Sequence, residues 1–182
     1  GKEHVTEMGY SSESVGKCEA KVAVSGGKNG ALMAVARIRL RKIPGINRAA
    51  IAGLCPASNP GGFNLMLDAG ADIKADAADL LKYAMMGASY ARNGMGMTRP
   101  RVGLLNVGTE DHKGGVELKL AHEQIGAAAA LGAYDYVGYV EGVDLPSVRV
   151  EVIVTDGFPG NCALKTAGGR GGRTGYFRRA AC

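Results

Sequence analysis

Three short stretches of this chain hold the residue types that anion chemistry needs. In the first, the β-branched run Val152-Ile153-Val154-Thr155 leads into Asp156-Gly157-Phe158-Pro159-Gly160-Asn161, with Lys165 four residues further on. Gly157 and Gly160 allow backbone N–H groups to come close to a ligand. A helix starting near Asn161 would add unpaired N–H groups and the positive end of its dipole. On that helix Lys165 stands one turn along the face of Asn161 and can aim a charge at the same oxygens. An N-cap asparagine and a solvated lysine are the plain alternatives.

The second stretch, Ser25-Gly26-Gly27-Lys28-Asn29-Gly30, is again a glycine turn before a helical pattern, with a hydroxyl, an amide and a lysine beside it. The third, Gly108-Thr109-Glu110-Asp111-His112-Lys113-Gly114-Gly115, adds Lys113. Lys28, Lys113 and Lys165 together suit a phosphate-bearing substrate. Other chemistries find less support. There is no Gly-x-Ser-x-Gly elbow and no His-Glu-x-x-His, and His112 and His122 are ten residues apart rather than one turn. No metal or cofactor is expected. A dehydrogenase is not expected, because no Gly-x-Gly-x-x-Gly follows a strand with an acid about twenty residues on.

These loops need elements to hold them. Apolar, mostly non-alternating runs at Lys21–Val24, Ala49–Leu54, Phe63–Asp68, Val102–Val107, Tyr136–Val140 and Val148–Thr155 read as strands covered on both faces. Helical patterns lie between them at Ala31–Leu40, Asp76–Arg92, Val116–Leu131 and Cys162–Ala167. In Asp76–Arg92 the stripe is Ala77, Leu81, Met85, Ala88 and Arg92, with Asp76 as cap and Asn93-Gly94 as stop. The alternation predicts an α/β fold with a doubly wound, mostly parallel sheet in a single domain over residues 1–182. The turns Ser25-Gly26-Gly27, Asp68-Ala69-Gly70, Asn106-Val107-Gly108, Glu141-Gly142 and Asp156-Gly157 should then meet on one rim, where open parallel sheets bind ligands.

Composition sets outer bounds. The chain has 182 residues, 46% apolar, enough for one core. The net charge of +5 owes four units to Arg170, Arg173, Arg178 and Arg179, leaving +1 elsewhere, so no nucleic-acid partner is expected. Cys18, Cys55, Cys162 and Cys182 are widely spaced and read as reduced. With no stretch long enough to span a bilayer, a soluble cytoplasmic protein is expected.

Six motifs in order carry a family likeness. Ser25-Gly26-Gly27-x-x-Gly30-Ala31-Leu32-Met33-Ala34, Leu67-Asp68-Ala69-Gly70-Ala71, Met86-Gly87-Ala88-Ser89-Tyr90-Ala91, Arg99–Gly108, Val140-Glu141-Gly142 and Thr155–Thr166 resemble the bacterial phosphate acyltransferase (PlsX) family. The likeness covers residues 22–166 and leaves residues 1–20 and 168–182 unmatched. It implies a three-layer α/β/α fold like the isocitrate and isopropylmalate dehydrogenases and a homodimer. It also implies transfer of an acyl group from acyl-carrier protein to orthophosphate, for phospholipid synthesis. By resemblance Lys113, Asn161 and Lys165 serve catalysis, and Ser25, Gly27, Asn29, Gly157 and Gly160 line the phosphate pocket. Met85, Met86, Met95 and Met97 read as core or dimer interface, with peripheral membrane contact as the role the family suggests. Lys28-Asn29 and Lys113-Gly114-Gly115 depart from the usual pattern. The family's opening strand and the helices beyond Lys165 are not found, which implies a truncated or diverged form. A phosphotransacetylase-like enzyme using acyl-CoA and a non-catalytic remnant of the fold are the alternatives.

Overall fold

The computed structural model describes residues 7–26, 28–40, 44–46, 48–71, 74–110 and 113–166, without the side chains of Glu7 and Asn29. Residues 1–49 and 50–182 make two compact units. In the first, α1 (Glu7–Gly16) packs on α2 (Asn29–Arg39), and Glu13 pairs with Lys17 at 2.8 Å and Arg39 at 3.7 Å. Sequence patterning missed α1. The strand expected at Lys21–Val24 does not form: Val22 and Val24 are exposed and their backbone pairs with no strand. Alternating Val and Lys or Ala supplies the β pattern, but a strand is stable only beside a partner.

In the second unit β1 (Gly53–Pro56), β2 (Phe63–Leu67), β3 (Arg101–Leu105), β4 (Asp135–Val140) and β5 (Val152–Val154) form one sheet of order β1-β2-β5-β3-β4. The pairs β2–β5, β5–β3 and β3–β4 are parallel; β1 joins β2 antiparallel. The predicted run Ala49–Leu54 thus becomes a strand that begins four residues later and ends two residues later. Ile51 instead uses its N–H and C=O on the turn after β2, bonding Asp68 Oδ1 and Ala69 N.

Alternate strand residues face opposite sides of the sheet and fill two cores. Leu65, Leu67, Val102, Leu104, Val152 and Val154 join α3 (Ala77–Met95) and α4 (Val116–Gly132) on one side. Met66, Val140, Val150 and Ile153 join Ala163 and Leu164 of α5 (residues 157–166) on the other. Helices therefore flank a mostly parallel sheet, as the alternation predicts.

Asp76 caps α3 by accepting from Asp79 N at 2.8 Å. The helix runs past Asn93-Gly94 to Met95 and ends at Gly96, whose φ of +71° closes it. Its buried side is also offset from the predicted stripe: Leu80, Tyr83, Ala84, Gly87, Ala88 and Ala91 are buried, whereas Met85 is exposed. Close approach of helix to sheet selects the small residues. Met95 and Met97 pack half-buried on the same core, Met86 likewise. Arg92 reaches across to the carbonyls of Gly132 and Ala133, a cation at the negative end of α4.

Gly87 shows how tight this layer is, since a Cβ there would lie 2.5 Å from Val152 Cγ1. Gly94, in the last turn of the same helix, would meet only Tyr90 ring atoms at 3.5 Å or more. Gly→Ala in a helix gains about 1 kcal/mol from backbone entropy, while forced overpacking costs about 1–3 kcal/mol. Gly94→Ala should therefore raise, and Gly87→Ala lower, the urea midpoint. Equal shifts of the same sign would contradict this account of α3 packing.

Candidate functional site

Because β2, β5, β3 and β4 run parallel, their carboxyl ends share one edge. The turns Asp68–Gly70, Asp156-Gly157, Asn106–Gly108 and Glu141-Gly142 leave from it, four of the five turns predicted to converge. The fifth, Ser25-Gly26-Gly27, follows no strand and belongs to the first unit.

Asp68 organises the β2 end. Fully buried, its Oδ1 accepts from Ile51 N at 2.8 Å, Gly70 N at 3.1 Å and Ala71 N at 2.9 Å, and Oδ2 also accepts from Ala71 N. Backbone bonds Asp68 N to Thr155 O (2.8 Å) and Thr155 N to Leu67 O (2.7 Å) lock this turn to β5. Sequence reading placed the turn Asp68-Ala69-Gly70 at this strand end but gave the Asp68 carboxylate no partner; its hold on Ile51 joins segments far apart in the chain.

The helix after β5 begins at residue 157, one turn earlier than the expected start near Asn161. Asp156 is the capping residue, its Oδ1 accepting from Phe158 N at 3.0 Å. Asn161 is consequently not a cap. It lies in the second turn, half-buried, with its side chain against Gly70, where φ is +126° and a Cβ would sit 3.3 Å from Asn161 Cβ. Lys165 stands one helical turn further on and is exposed. Gly157 is buried in the first turn. Gly160 is fixed by packing, since a Cβ there would be 1.9 Å from Asp68 O.

On the neighbouring strand, Asn106 holds the loop that carries Lys113. Its Nδ2 donates to Lys113 O at 3.1 Å and its Oδ1 accepts from Val107 N. Lys113 folds over Gly108, where a Cβ would be 2.5 Å from Lys113 Cδ, and its Nζ pairs with Glu110 Oε1 at 2.8 Å. That hydrogen bond, and then the charge of Glu110, raises the ammonium pKa above its ordinary value. The i,i+3 spacing of Glu110 and Lys113 was the sign of this pair in the sequence.

The rim thus gathers Lys113, Gly157, Gly160 and Asn161 on the turns of two adjacent strands. Ser25 is half-buried outside any helix or strand and Asn29 opens α2, both in the first unit; Gly27, His112 and the arginine-rich residues 167–182 lie outside the described residues. His122 is half-buried, its Nδ1 2.8 Å from Tyr136 Oη and its ring stacked on Tyr139. Cys18, Cys55 and Cys162 are free thiols, and burial raises the pKa of Cys55. Among the described residues no cluster of three or more His, Cys, Asp or Glu side chains is placed to hold a metal, and no helix is long and apolar enough to cross a membrane.

An open α/β sheet with polar, glycine-bearing turns along its carboxyl edge is the architecture of a small-ligand-binding protein. The chain belongs to the fatty acid synthesis protein family, whose sequence pattern matches residues 2–175 and so extends beyond residues 22–166. It is 66% identical over 164 residues to proteins named phosphate acyltransferase from Cereibacter sphaeroides and Paracoccus denitrificans, covering 90% of this chain and 44% of each relative. It is 60% identical over 176 residues to one from Rhodobacter capsulatus, covering 97% of this chain. The chain spans less than half the length of these relatives.

Replacing Glu110 removes the two largest causes that raise Lys113 and leaves only the smaller contribution of the Glu141 charge. In Glu110→Gln the Lys113 titration midpoint, followed by its 13Cε shift, should fall toward the ordinary lysine value, because the ammonium form loses its partner. An unchanged midpoint would mean that the Glu110 pair does not form in solution.

Proposed function

We propose that this chain carries the phosphate side of an acyl transfer from acyl-carrier protein to orthophosphate, giving acyl phosphate for phospholipid synthesis. The carrying observation is that β5 and β3 are neighbours and parallel. The start of α5 and the Lys113 loop therefore leave the same edge from strands about 4.8 Å apart. Family membership and the relatives' name support an acyl group and phosphate as the reactants.

The reaction needs no enzyme nucleophile. A phosphate oxygen attacks the thioester carbonyl, the C–S bond breaks, and the carrier thiolate leaves and takes a proton. What the protein must supply is orientation of phosphate and stabilisation of the tetrahedral oxyanion. Lys113 is suited to one of these roles because its pair with Glu110 is exposed and screened, hence weak, so a phosphate dianion can displace the carboxylate. Asn161 offers an amide donor beside the Asp68 turn, and Lys165 on the same helical face draws anions toward it. Gly157 brings the first-turn backbone to the rim.

The resemblance adds Ser25, Gly27 and Asn29 as phosphate ligands from the first unit's own turn. It also adds a dehydrogenase-like three-layer fold, a homodimer, and a cytoplasmic protein with peripheral membrane contact.

Incubation with long-chain acyl-carrier protein, with and without orthophosphate, tests the proposal by free-thiol appearance; acyl-CoA in place of the carrier protein tests the phosphotransacetylase-like alternative. Thiol release should require phosphate and fall about 10²–10³-fold in Lys113→Ala or Asn161→Ala. Phosphate-independent release, or full activity in both variants, would overturn the assignment.

A further inference from the structure

Lys113 is the rim cation that the proposed reaction draws on, yet its ion pair does little to hold it. The pair with Glu110 at 2.8 Å joins side chains that are 40% and 49% exposed, so water screens it and the ammonium is only weakly fixed by it. The place of the lysine is set instead by its main chain and by the floor under its stem. Both are supplied by the turn after β3.

Asn106, 8% exposed, anchors that turn to the sheet, its N–H donating to Val140 O of β4 at 2.9 Å. The two ends of its side-chain amide meet partners of opposite kind. Val107 N donates to Oδ1 at 2.9 Å, and Nδ2 donates to Lys113 O at 3.1 Å. A donor at one end and an acceptor at the other fix which way the amide points. Two residues on, Gly108 lies under the lysine, since a Cβ there would be 2.5 Å from Lys113 Cδ and 2.9 Å from Nζ. Gly114 keeps the far side of the amide clear: its φ is +95°, and a Cβ would sit 3.0 Å from Asn106 Oδ1 and 3.2 Å from Nδ2. Lys113 thus hangs from Asn106 by its carbonyl and rests on Gly108 by its stem.

We propose that Asn106 is a positioning residue of the phosphate site: acting through Lys113 O, it decides where the Lys113 ammonium stands on the rim and so how tightly phosphate is held. This role rests on the phosphate reading of Lys113 given above. Asn106 itself touches no substrate. Its effect passes through the lysine loop, and a displacement of that loop by about 1 Å is enough to spoil an oriented contact.

Titration of inorganic phosphate into the 15N-labelled 182-residue chain, read from the Gly108 amide signal, gives a dissociation constant without turnover. Asn106→Ala removes the donor to Lys113 O, while Gly114→Ala pushes on the same amide from the other side and leaves Asn106 in place. Each should weaken phosphate about five- to tenfold, the scale of one lost hydrogen bond. In the thiol-release assay the KM for long-chain acyl-carrier protein should stay unchanged. A purely structural loss would instead lower the folded fraction, and with it kcat, and leave the phosphate constant as it is; should one variant fail to fold, the other decides. In a Lys113→Ala background neither substitution should weaken phosphate further, because the lysine they act through is gone. Unchanged phosphate affinity in either folded variant, or the full extra weakening in the Lys113→Ala background, would overturn the positioning role and leave the acyl-transfer reading standing. No phosphate binding by the unsubstituted chain would sink both.

Discussion

The structure depends on the parallel pairing of a three-residue strand. Val152–Val154 bonds to β2 on one side and β3 on the other, and all three residues are fully buried. Val152 and Val154 enter the core under α3 and α4, while Ile153 enters the core under α5. With only three residues, β5 has little register freedom: a one-residue slip would exchange the two cores. Its direction also decides that the Asp68, Asp156 and Asn106 turns leave from one edge. Chemistry at that edge is a consequence of strand polarity before it is a property of any side chain.

Around that strand, glycine sets distances. Gly87 lets α3 reach Val152, Gly103 leaves room for Val140 and Val150, and Gly160 lets the first turns of α5 rest on the Asp68 carbonyl. In each case the absent Cβ would be 2.6 Å or less from a neighbouring atom. Gly160, a motif glycine that looks in sequence like a place for a ligand, is therefore first a place for helix-to-strand packing.

The charges at the two ends of the sheet are handled differently. At the carboxyl edge Lys113 rests on Glu110, an exposed pair that an anion can replace. At the amino edge Arg101 is tied to Glu151 by side chain and backbone, and Arg99 to Asp135. One edge keeps a cation within reach of a ligand, and the other keeps its ions for itself.

Continuous apolar runs determined β2, β3 and β5 in sequence, because burial on both faces leaves little polar alternation to misread, and the run Tyr136–Val140 determined the edge strand β4 although it is only part-buried. The Asp76 cap and the helices α3 and α4 were equally legible, since capping and 3.6-residue periodicity are local. Local pattern misled at Lys21–Val24, where strand-like residues have no partner strand, and at Asn161, where an amide before a helical run looked like a cap although Asp156 was better placed. The six motifs fixed the family and the residues worth weighing. Sequence could not supply the order β1-β2-β5-β3-β4, the antiparallel β1, the hold of Asp68 on Ile51, or the Lys113 loop's suspension from Asn106. Those depend on which segments meet in space, and that is decided when the two cores are filled together rather than by any one segment's own preference.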